Sequence, residues 1–226
     1  MICNSIDRKI AIGEMRLDYK IIVGKVVDFL NCTIEGFPQF ISISGFREKN
    51  EKRINELLAT YLNNCIADFL SIDTFRFSFI KDTSIESSNY NPDIGVMLGN
   101  KMASTTNSFF HIECKRLPAR AGHEREYVHG KLGGIQRFKE GKHGKGLDYS
   151  AMVGYVQSGT FKTWYEKINT WIDELIQSEN GFYWQNDDKI IPCSVESYQK
   201  YTSSHTRLQH KEPITLFHYW VMMNGL

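Results

Sequence analysis

The stretch NPDIGVML (residues 91–98), the polar interval 99–108 and the stretch FFHIECK (residues 109–115) decide the reading of this 226-residue chain. Asn91-Pro92 is a turn dipeptide, and the apolar run behind it reads as a strand that opens on Asp93. FFHIECK reads as a second strand, and the interval between them as the loop of a hairpin. Residues i and i+2 of a strand share a face, so Glu113 and Lys115 stand side by side at the end of an otherwise apolar segment. If the two strands pair antiparallel, Asp93 and Glu113 converge at one end of the hairpin. Two convergent carboxylates suit a hard cation such as Mg²⁺. A lysine beside them can orient or deprotonate a water, or neutralise charge that develops on a phosphate.

Upstream, residues 47–70 carry apolar side chains at Ile54, Leu57, Leu58, Tyr61, Leu62, Cys65, Ile66, Phe69 and Leu70. Steps of three and four place all nine on one face of a helix. Residues 18–33 fit a helix or a strand equally, and FISISG (residues 40–45) alternates like a short strand. TFRFSFI (residues 74–80) alternates as a strand as well. Downstream, residues 124–140 are expected to be helical despite Gly133-Gly134, and GKHGKG (residues 141–146) ends that helix. Residues 150–156 read as a buried strand, 160–176 as an amphipathic helix, and 190–223 as short strands. The expected order is helix, three strands, helix, strand, helix, strands, which is an α/β layered fold.

Composition and charge narrow the class. Apolar residues make up 42% of the chain and charged residues 23%, as in ordinary globular proteins. No run approaches a membrane span, and residues 1–13 lack the apolar core of a signal peptide, so a cytoplasmic protein is expected. Five scattered cysteines, without a CxxC pair, argue against a disulfide framework or a structural zinc site, and most are expected in the core. Net charge is only +1, yet residues 111–148 hold nine Lys or Arg against five acids, a local basic surface of the kind that binds phosphates. GKHGKG lacks phosphate-loop spacing, although its Lys and His can touch a nucleic-acid backbone. His205, His210 and His218 are poorly spaced for zinc and better suited to hydrogen bonds. Trp164 and Trp171 read as core or dimer-interface residues rather than base-stacking ones.

Pro92-Asp93 followed by Glu113-Cys114-Lys115 resembles the PD-(D/E)XK nuclease superfamily, whose core runs αβββαβ, the order read above for residues 47–157. The resemblance implies a restriction-endonuclease-like mixed sheet flanked by helices, with residues 1–46 and 158–226 as additions to a single nuclease domain. It implies catalysis by Asp93, Glu113 and Lys115, with Gln136 from the second core helix in support. The implied cofactor is Mg²⁺, with Mn²⁺ as substitute, bound by Asp93, Glu113 and an acid of the first core helix. Glu51 matches that acid best, ahead of Glu48 and Glu56. Arg116, Arg137, Lys139, Lys142, His205 and Arg207 are the candidate nucleic-acid contacts. The implied activity is an endonuclease on DNA in restriction or anti-phage defence, as a homodimer or a subunit of a larger defence complex. A catalytically silent nucleic-acid-binding or assembly subunit, and a nuclease for RNA or branched DNA, are the alternatives.

Overall fold

Apolar strands at the centre of the chain assemble a seven-stranded mixed sheet, and amphipathic helices cover its two faces. The computed structural model describes residues 9–12, 15–45, 50–69, 77–81, 91–98, 108–178, 184–194, 199–209 and 211–224. A two-stranded hairpin, β1 (Lys9–Ile12) and β2 (Met15–Asp18), precedes helices α1 (Tyr19–Thr33), α2 (Phe37–Ser44) and α3 (Glu51–Phe69). Strands β3 (Phe77–Lys81), β4 (Ile94–Leu98) and β5 (Phe110–Leu117), helix α4 (Gly134–Lys139), strand β6 (Tyr149–Val156) and helix α5 (Phe161–Gln177) follow. Strands β7 (Ile191–Pro192), β8 (Lys200–Thr206) and β9 (Pro213–Met222) end the described chain.

The sheet order is β3-β4-β5-β6-β9-β8-β7. Strands β3, β4 and β5 are antiparallel, β5, β6 and β9 run parallel, and β9, β8 and β7 return to antiparallel pairing. Alternation divides the side chains between two cores. Phe110, Ile112, Cys114, Val153 and Tyr155 face α1, α2 and α3, whereas Leu117, Met152 and Val156 face α5 and the segment around Tyr127 and Phe138. Strand β3 is a sheet edge, and Asn63 of α3 covers it by bonding both the N–H and the C=O of Phe79. That removes an exposed pairing edge.

Four expectations are corrected. Residues 40–45 are not a strand but part of α2: Pro38 favours the first helical turn and Gly45, at φ 71°, ends it. Phe37 and Ile41, four apart, are buried there, while Ile43 is 78% exposed. The helix expected over 124–140 covers only Gly134–Lys139. The turns before it fold back so that the carbonyls of Glu126, Tyr127 and Val128 accept from the N–H groups of Gly134, Ile135 and Gln136, which satisfies the orphan donors of the helix start. A Cβ at Gly134 would meet the Tyr127 carbonyl oxygen at 3.0 Å and displace the flexible end of Met152, so glycine suits this close approach to β6. Of the four described cysteines, all free thiols, only Cys114 is buried, and Cys32 and Cys193 are exposed. Finally, β9 is a ten-residue strand in the sheet interior rather than a short terminal one. Residues 18–33, open between helix and strand, form α1, capped by the Asp18 carboxylate on Lys20 N–H. Among the described residues no helix is long and apolar enough to cross a membrane.

Candidate active site

The site forms where β4 stops pairing with β5. The ladder between them ends at Ile94↔Ile112. N–H groups at alternate positions of a strand point the same way, so Cys114 and Arg116 offer donors on the side that β4 has left. Carboxylates take them up. Asp93 Oδ2 accepts from Cys114 N–H at 2.8 Å, and Glu51 Oε2, from the first turn of α3, accepts from Arg116 N–H at 3.0 Å. Two acids distant in sequence are thereby fixed against the strand that carries Glu113 and Lys115. Of the competing acids of α3, Glu56 pairs instead with Arg53 and Lys81, and Glu48 lies outside the described residues.

Glu113 and Lys115 are 3% and 5% exposed and form a buried ion pair, with Lys115 Nζ 2.7 Å from Glu113 Oε1. Burial favours the neutral form of each group, but the cations around Glu113 prevail. Lys115, His143 and Arg137 hold its pKa below the ordinary carboxylate value against desolvation. The charges of Glu113, Asp93 and Glu51 overcome desolvation at Lys115 and raise its pKa, so Lys115 is an ammonium. Desolvation, reinforced by the negative charge of Glu113, pushes Asp93 well above the ordinary carboxylate range, with Lys115 opposing. Desolvation raises Glu51 as well. Three acids therefore share the site with Lys115, with Arg137 and Arg116 at its margins; burial holds Asp93 and Glu51 toward their neutral forms, and a further cation beside them would favour their ionisation.

The remaining expected residues separate. Arg137 Nη1 lies 3.9 Å from Glu113 Oε1, and Arg116 Nε 3.9 Å from Glu51 Oε2, so both belong to the site. Gln136 does not touch Glu113: its carboxamide accepts from Gly130 N–H and donates to Glu140. Lys142 is half-exposed and paired with Glu140 at 2.6 Å. Lys139, His205 and Arg207, expected at a nucleic-acid surface, are buried. Lys139 binds both oxygens of Asp188, at 2.6 and 2.7 Å. Arg207 donates to the carbonyls of Gly144 and Leu147.

His205 belongs to a buried chain that sequence alone did not reveal. Its Nδ1 lies 2.6 Å from Asp188 Oδ1 and its Nε2 2.6 Å from Ser203 Oγ. Ser203 Oγ also meets His218 Nε2, and His218 Nδ1 meets the Tyr127 hydroxyl, which accepts from Trp220 Nε1–H. The order Ser203–His205–Asp188 matches that of a hydrolytic triad. Ser203, however, is 3% exposed and its oxygen is engaged by both histidines.

His143, the histidine of GKHGKG expected to touch a nucleic-acid backbone, lies instead in the interior beside Glu113. It is 2% exposed, and its Nε2 lies 3.5 Å from Glu113 Oε2. The glycines of GKHGKG allow the tight inward loop that places it there.

As to a metal, the described residues contain no group of three or more His, Cys, Asp and Glu side chains placed to hold an ion. Mg²⁺ keeps most of its waters and takes one or two carboxylates together with substrate phosphates. Asp93 and Glu113 fit that requirement, with Glu51 within electrostatic reach. A cavity of about 620 Å³ opens elsewhere, between residues 122–132 and Trp171, and none of the three acids lines it. Compared with family models, curated proteins and solved structures, the chain has no match in any of the three.

Proposed function

We propose that this chain is a Mg²⁺-dependent endonuclease with a restriction-endonuclease-like PD-(D/E)XK core, acting on DNA. One observation carries the reading: Asp93, Glu51 and the Glu113–Lys115 pair gather on β5 at the point where β4 departs. The order α3, β3, β4, β5, α4, β6 supports it. Asp93 and Glu113, with Glu51 behind them, would hold Mg²⁺, or Mn²⁺ in its place. When bound, the ion supplies Lewis acidity to a phosphate oxygen and lowers the pKa of a coordinated water. Lys115, held as an ammonium by three acids, orients the attacking water and stabilises the negative charge that grows on the phosphate. Arg137 and Arg116, on either side of the acids, serve as phosphate contacts. Arg120, Lys131 and Lys145 of the same segment are exposed and add positive charge to the surface. A role in restriction or anti-phage defence, as a homodimer or a subunit of a larger complex, accords with this activity.

The test is incubation of the protein with supercoiled plasmid, linear duplex, branched DNA, single-stranded DNA and RNA, with Mg²⁺, Mn²⁺ or EDTA. Cleavage of duplex DNA that needs the metal and is absent in Lys115→Ala and Asp93→Ala is the expected result. Cleavage that persists in both variants overturns the site. Metal-independent binding without cleavage would make the chain a nucleic-acid-binding subunit, and cleavage restricted to RNA or junctions would change its substrate.

A further inference from the structure

We infer that His143 is a positioning residue for Glu113, its Nε2–H donating to Glu113 Oε2 and fixing the rotation of that carboxylate for cation binding. The inference rests on the nuclease reading of the site and assigns a role to a residue outside its motif.

Three observations carry it. His143 is almost fully buried, yet neither ring nitrogen has a hydrogen-bond partner among the described residues. Buried polar groups are nearly always paired, and an exception calls for an explanation. Secondly, an oxygen of Glu113, Oε2, faces the ring, 3.5 Å from Nε2. The other oxygen, Oε1, is taken by Lys115 at 2.7 Å. A small rotation of the carboxylate closes the contact with His143, and hydrogen bonds of active sites often tighten only when the site is loaded.

Thirdly, the loop that delivers His143 is built rigidly. Gly141, Gly144 and Gly146 all have positive φ, at 70°, 60° and 74°. A Cβ at Gly144 would lie 3.0 to 3.2 Å from Ser150, Ile214 and Phe138, so both conformation and space require glycine there. Arg207 clamps the loop through the carbonyls of Gly144 and Leu147, and Phe138 packs on the imidazole with ring centroids 5.6 Å apart. Gly144 N–H donates to His111 Nδ1, which leaves the proton of His111 on Nε2, directed at Ser108. His111 is thus a fixed acceptor behind the loop. All these contacts brace the loop and none engages the His143 nitrogens. Polar partners of metal-binding carboxylates orient them, and their loss characteristically weakens the metal.

The experiment titrates Mn²⁺ alone into the full chain and follows the free ion by electron paramagnetic resonance. Binding by the wild type that Asp93→Asn abolishes is expected, and its absence overturns the metal reading together with the role of His143. Given that binding, His143→Leu fills the space without a donor and is expected to weaken Mn²⁺ about 10–100-fold. His143→Gln returns a donor at similar reach and is expected to restore affinity to within about threefold, with thermal unfolding unchanged. Wild-type affinity in folded His143→Leu overturns the inference and leaves the nuclease reading intact. Failure of Gln to restore affinity assigns His143 to packing and also overturns it. If His143→Leu does not fold, His143→Gln is set against His143→Asn, whose donor is one carbon short. Weaker binding in Asn supports the role, and equal binding overturns it.

Discussion

Two buried lysine–carboxylate pairs occupy this molecule, and they differ in everything around them. Lys139–Asp188 and Lys115–Glu113 are alike in distance, 2.6 and 2.7 Å, and in burial. Around Asp188 the hydrogen bonds close. With both histidines neutral, one consistent order of protons runs from Trp220 Nε1–H to Tyr127, His218, Ser203, His205 and the Asp188 carboxylate. Every donor meets an acceptor, the arrangement that rigidifies a core. Around Glu113 they do not close. The His143 ring nitrogens have no hydrogen-bond partner among the described residues, and Asp93 is held in a place that disfavours its charge. The satisfied pair ties α4 to the turn before β7 and to β8 and β9. The unsatisfied one joins the acids that we propose hold a cation. Sequences break local rules of satisfaction chiefly where they function.

The comparison can be broken most sharply by cleavage. Lys115→Ala and Asp93→Ala are expected to lower metal-dependent plasmid cleavage by about 10²–10⁴-fold, with far-ultraviolet circular dichroism unchanged. Retained cleavage in either would dissolve the contrast. Next in size, Asp188→Ala leaves Lys139 buried without its counter-charge and should cost about 3–5 kcal/mol in urea unfolding. A loss below about 1 kcal/mol would show that the network does not hold the fold.

Acid should attack the satisfied network. Burial, then the neighbouring His205, depresses His218 to about 3, and burial depresses His205 against the pull of Asp188. Unfolded histidines bind protons near 6.5, so between about 3 and 6.5 the unfolded chain binds more protons than the folded one. Stability therefore falls as pH drops through that window, by up to about 1.4 kcal/mol per pH unit from His218, and His205 acts in the same direction. Urea midpoints between pH 7 and pH 4 should show it. The slope should flatten in His218→Gln, and an unchanged slope would remove His218 from the account.

The smallest effect has the opposite sign. Asp93 has a raised folded pKa, so its favourable contribution is present below about 3.9, the unfolded value. It is lost as pH rises toward and through the folded pKa, so at pH 8 Asp93 destabilises the fold relative to a residue that does not titrate. Asp93→Asn should then melt about 2–4 °C higher at pH 8, with no gain at pH 3, by calorimetry without metal. A lower melting temperature at pH 8 would mean that Asp93 is chiefly structural, through its bond to Cys114 N–H.

What the sequence determined by itself was whatever short-range periodicity controls. Period two places Glu113 and Lys115 on one face whatever the strand packs against, and steps of three and four mark α3 before any neighbour is known. Asp93 was legible because a turn dipeptide sets the start of β4. FISISG was misread because so short a run fits either period. Packing of Phe37 and Ile41 among the buried residues of the α1–α3 core decided for a helix. Lys139, His205 and Arg207 look like surface cations in sequence because charge is a property of one residue. Burial belongs to the whole fold, and Asp188, 49 positions from Lys139, makes that burial tolerable. For the same reason no spacing announces His143. It meets Glu113 because parallel pairing of β5 with β6 brings the intervening loop back over the strand, and only the tertiary structure brings together groups thirty residues apart.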